Sequence, residues 1–62
     1  MGPVSATVEA VTVRLTPSQV DGYWLEEWFE DGSPFGDPML TPLHAPTPHE
    51  HAHAAARRLA TA

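Results

Sequence analysis

The chain has 62 residues, which is below the roughly 100 to 150 of a common domain, so it is expected to form one small domain and has no room for a two-domain enzyme. It contains no cysteine, which excludes a disulfide framework, a thiolate metal site and a cysteine nucleophile. Eight acidic residues against three basic ones give a net charge of -5, which opposes direct binding to a phosphate backbone or an anionic membrane.

Residues 1–31 carry Glu9, Asp21, Glu26, Glu27, Glu30 and Asp31 against Arg14 alone, whereas residues 32–62 balance Asp37 and Glu50 with Arg57 and Arg58. The negative charge therefore belongs to the first half. The opening MGPVSATVEAV has no basic leader region, and no stretch approaches the roughly 20 apolar residues that cross a bilayer. A cytoplasmic protein is expected. The apolar surface that so short a chain can bury roughly balances the entropy lost on ordering it, so support from a partner or from self-association is expected as well.

A first strand is predicted over 7–16, where β-branched residues dominate and neither glycine nor proline occurs. Val11, Val13 and Leu15 share one face and form the core candidate, while Val8, Ala10, Thr12 and Arg14 share the other. Thr16-Pro17-Ser18-Gln19 has the grammar of a helix start, a capping threonine followed by proline and then glutamine, so one helical turn is predicted over 17–21. Val20, Trp24 and Trp28 recur at four-residue spacing and leave a continued helix through 23–30 open, but Asp21-Gly22 favours ending the turn there.

A second strand is predicted over 23–30, with Tyr23, Leu25, Glu27 and Phe29 on one face and Trp24, Glu26, Trp28 and Glu30 on the other. Neither face is cleanly apolar. Covering the Leu25 and Phe29 face would leave Trp24 and Trp28 partly exposed between acids. Asp31-Gly32 suits a tight reversal into a short extended segment at 33–36, and a proline-rich loop follows over 37–46. Thr47-Pro48-His49-Glu50 starts a helix over 48–60, with Pro48, Ala52, Ala55, Ala56 and Leu59 in one stripe. Alanine lets that helix approach a sheet closely while adding little apolar area. The fold class expected is α+β, with a small two- or three-stranded antiparallel sheet packed by one C-terminal helix.

Three constellations invite chemistry. His44, His49, His51 and His53 fall within ten positions, and His49 and His53 share one side of a helix. With His44 folding back from the loop they form a candidate zinc or nickel site, although no HExxH arrangement accompanies them and exposed histidines are the simpler reading. Glu26, Glu27, Glu30 and Asp31 pair carboxylates, but general acid/base work needs a cleft around them, and a chain this short hardly builds one. Trp24 and Trp28 bring the largest apolar surfaces, and aromatic residues are enriched at binding hot spots.

The chain is therefore expected to be a small acidic accessory protein rather than an enzyme. It would bind another protein or itself through Trp24, Trp28, Glu26, Glu27, Glu30 and Asp31, without direct contact to nucleic acid or membrane. Two alternatives stand beside this reading. One is a histidine-based metal-binding module, and the other is an acidic inhibitor that copies a row of phosphates before a basic nucleic-acid-binding surface.

Overall fold

Residues 2–42 and 47–62 are described by the computed structural model. The region expected as one strand over 7–16 is instead the bend of a hairpin, in which β1 (Val4–Val8) pairs antiparallel with β2 (Val11–Pro17). Glu9 and Ala10 form the turn, and Glu9 takes a left-handed φ of 55° that its sequence does not advertise. The reversal places Val8 opposite Val11, so Val8 joins the face of Val11, Val13 and Leu15 rather than the opposite one.

No helical turn follows β2. Pro17 is its last residue, and the Ser18 hydroxyl stabilises the reversal by accepting from the Val20 amide at 3.1 Å and lying 2.7 Å from the Tyr23 carbonyl. The serine side chain thus bonds backbone groups on both sides of the reversal, which holds a turn here in place of a helical one. Gly22, at a φ of 80°, completes the reversal into β3 (Tyr23–Glu30).

Asp31 and Gly32 both have positive φ, 51° and 82°, and they link Glu30 to its partner Ser33 in a two-residue hairpin. The short β4 (Ser33–Pro34) results. The proline-rich segment then contributes β5 (Met39–Pro42), which pairs with the other end of β3. Sheet order is β1-β2-β3-β4, with β5 also on β3, so the described residues form five antiparallel strands where two or three were expected. The extra strands were hidden because each is short and two contain proline, which an edge strand tolerates.

α1 (Pro48–Ala60) begins at Thr47, whose hydroxyl accepts from the Glu50 amide, and it closes with Arg57 and Arg58 in its last turn. It lies over β1 and β2. Ala52, Ala55 and Ala56 are its buried residues and pack with Ala6, Val11, Val13, Leu15 and Trp24 in the core. The protein is thus a small α+β domain in which one sheet face is covered by the C-terminal helix.

Candidate functional site

The side of β3 that faces the core is the reverse of the one its composition suggests. In the register of β2 with β3, Val13 stands opposite Trp28, Leu15 opposite Glu26 and Pro17 opposite Trp24. Since Val13 and Leu15 are buried under the helix, Trp24, Glu26 and Trp28 must share that face. Trp24 is 4% exposed and Glu26 only 3%. Trp28 is half-buried, its ring centroid 6.1 Å from that of Phe35, and Gly36 lies against the same indole.

A carboxylate in this position is costly unless its oxygens find donors. Glu26 finds three, from three elements: Trp28 Nε1 donates to Oε2 at 2.7 Å, and Thr41 Oγ1 on β5 donates to Oε1 at 2.8 Å. His51 Nε2, from the first turns of α1, lies 2.8 Å from the same Oε1. An ionised carboxylate only accepts, so Nε2 carries the proton of that bond. Burial pushes the Glu26 carboxyl up, but the Trp28, His51 and Thr41 donors and the His51 charge outweigh it and hold the group below its ordinary value. The arrangement ties α1 to β3 and β5 through one carboxylate, beside the contact that the alanine stripe makes with Trp24.

The opposite sheet face carries nothing from the described chain over it. Here Arg14 pairs with Glu27 at 2.9 Å, and its guanidinium sits 4.8 Å from the centre of the Phe29 ring. Leu25 is opposite Leu40, and Tyr23 is opposite Pro42. Tyr23 is 41% exposed and Leu40 48%. The face is thus apolar at the β3 and β5 end and charge-paired at its middle. Glu9, Glu30 and Asp31 sit on two neighbouring turns at one end of the sheet, joined by the Asp31 amide donating to the Ala10 carbonyl at 2.9 Å, and all three are exposed. Asp21 is exposed at the opposite end of β3.

Comparison with protein-family models, with curated proteins and with solved structures finds no match. The fold redistributes the expected site residues. Trp24 and Glu26 are internal and cannot form an outer surface in this fold. Glu27 lies on the open face, Trp28 on the covered one, and Glu30 and Asp31 at the turn. The four carboxylates expected to form one acidic row are split between the core, the open face and a sheet end, because adjacent strand residues point to opposite sides.

The expectation of zinc or nickel is overturned. Among the described residues no group of three or more His, Cys, Asp or Glu side chains is placed to hold a metal ion. His44 lies outside those residues, and His49 and His53 are exposed on α1 without a third ligand. Among the described histidines it is His51 that turns inward, with Nε2 at 2.8 Å from Glu26 Oε1. His51 belongs to the histidine run in the sequence, but spacing does not single it out because its partner is 25 positions away on β3. No helix among the described residues is long and apolar enough to cross a membrane.

Proposed function

We propose that this chain is a non-enzymatic interaction module that docks another protein on the open face of its sheet, with Tyr23, Leu25 and Leu40 at the centre of the contact. The observation that carries this reading is the exposure of Tyr23 and Leu40 on a face whose other side already supplies the core. Aromatic and branched apolar groups left together on one rigid face, with a paired Arg14 and Glu27 beside them, have the composition of a contact centre. Phe29 under the Arg14 guanidinium extends the apolar strip along β3.

Charge selects the partner. The face is neutral at its middle and bordered by Glu9, Glu30 and Asp31 at one end and Asp21 at the other. Arg57 and Arg58 belong to the helix, on the other side of the sheet. A second copy placed face to face would bring the same acids against these, so the complementary occupant is a different protein with an apolar centre and a basic rim.

Photo-crosslinking tests this. A photoreactive side chain replaces Tyr23 in one preparation and exposed His53 on the helix in another, and products in lysate are identified by mass spectrometry. The expected result is a partner captured from position 23 and not from position 53, whose purified form binds the chain. Leu25→Asp should weaken that binding by about tenfold or more, as expected when a charge enters a desolvated contact. Equal capture from both positions, or binding indifferent to Leu25→Asp, would refute the reading.

A further inference from the structure

The two edges of the sheet are finished differently. On one side the edge is broken into β4 and β5, of two and four residues, and each ends in a proline, Pro34 and Pro42. Short strands and prolines are devices that stop a sheet edge from recruiting another chain. On the other side lies β1, five residues paired with β2 alone, and no hydrogen bond from elsewhere in the described chain reaches it. Its sequence, Val4-Ser5-Ala6-Thr7-Val8, has no charge and no proline. One edge is guarded, and the other is bare of any further strand, although α1 lies over its covered face.

The bare edge also matches itself. An isologous contact requires a patch complementary to its own copy after a two-fold rotation. Antiparallel pairing of two β1 strands about Ala6 sets Val4 opposite Val8, Ser5 opposite Thr7 and Ala6 opposite Ala6. The valines and alanines meet on the helix-covered side, where Val4, Ala6 and Val8 already face, and the hydroxyls meet on the open side. Thr7 makes such a hydroxyl contact within the chain, at 2.8 Å from the Thr12 oxygen. Glu9 falls opposite Pro3, so no acid opposes an acid despite the net charge of -5.

We infer that the protein associates with a second copy of itself by pairing β1 edge to edge, which joins the two sheets into one continuous sheet with both helices on the same side. The contact uses main-chain hydrogen bonds and leaves the open face of each copy free, so it is independent of the docking reading above.

Ser5 and Thr7 are exposed, and substituting them leaves the core untouched. The test is the solution mass of the full chain by light scattering across a dilution series, with circular dichroism on the same samples to certify folding. The unaltered protein is expected at twice its 6.7 kDa mass at high concentration. The pair Ser5→Lys with Thr7→Lys puts like charges opposite each other across the two-fold, whereas Ser5→Lys with Thr7→Glu puts opposite charges there. The first should dimerise roughly tenfold or more weakly than the second, because directly opposed cross-strand charges act twice in the symmetric contact. Both variants place the same lysine beside Arg14, so that perturbation cancels. A monomer at every concentration overturns the inference, as does a dimer equally strong in both folded variants.

Discussion

Removing the Glu26 carboxylate is the perturbation that most sharply probes this fold. In Glu26→Ala the Trp28 indole N–H, the Thr41 hydroxyl and the His51 ring N–H all lose their acceptor at a site where Glu26 was 3% exposed. A buried donor left alone costs about 1–3 kcal/mol, and because water can reach the His51 side chain, 36% exposed, the loss lies towards the low end of about 3–5 kcal/mol, the cost of breaking a buried charged network. A chain of this size is stable by roughly 3–9 kcal/mol in total, so Glu26→Ala should remove about a third or more of its stability. Glu26→Gln is milder. Its carbonyl can face Trp28 while its amide faces Thr41 and His51, which can each turn an acceptor towards it, and the loss should be about 1–2 kcal/mol.

The pH dependence has a definite sign. The folded carboxyl lies below its ordinary value of 4.5, so the unfolded chain takes up this proton first as the solution is acidified. The stability that Glu26 contributes is therefore complete above about pH 4.5 and is lost as pH falls through the folded value. Urea unfolding followed by tryptophan fluorescence, at several pH values from neutral to acid, measures both effects, since Trp24 and Trp28 flank the site. The gap between the unaltered protein and Glu26→Gln should narrow in acid. A Glu26→Ala protein as stable as the parent, or a gap that widens on acidification, would refute the reasoning.

Three further substitutions have expected outcomes by the same unfolding assay. Gly36→Ala should cost about 1–3 kcal/mol, because a Cβ there would lie 2.8 Å from the Trp28 ring and Gly36 has a φ of +70°. Ala56→Leu should cost about 1–3 kcal/mol by overpacking, since Ala56 is 0% exposed between helix and sheet. Glu9→Gly should raise stability by up to about 1 kcal/mol, because it relieves the left-handed φ of 55° at the β1–β2 turn.

The elements that could be read from the sequence are those governed by local chemistry. Thr47-Pro48 with Glu50 marks the start of α1, and the alanine stripe marks the face it buries. Asp31-Gly32 marks a hairpin because both residues tolerate positive φ. Val11, Val13 and Leu15 alternate as a half-buried strand must. The features that could not be read depend on partners far along the chain. Glu9-Ala10 has no turn residue, so the hairpin there looks like one continuous strand. Thr16-Pro17-Ser18-Gln19 has a helix-start pattern, but Pro17 is held in β2 opposite Trp24 and Ser18 bonds the reversal instead.

The orientation of β3 was hidden for the same reason. A glutamate between two tryptophans argues for an outer face until three donors, one of them 25 residues away, make it an inner one. The apolar character of Tyr23, Leu25 and Phe29 is real, but it remains on the open side and so becomes available for contact rather than for the core.

Which side of β3 faces outward decides both the core and the proposed docking surface, and hydroxyl-radical footprinting read residue by residue measures it directly. Two aromatic neighbours on one strand serve as mutual controls. Tyr23 should be modified readily and Trp24 protected, in keeping with exposures of 41% and 4%. Modification of Trp24 faster than Tyr23 in the folded protein would contradict the account.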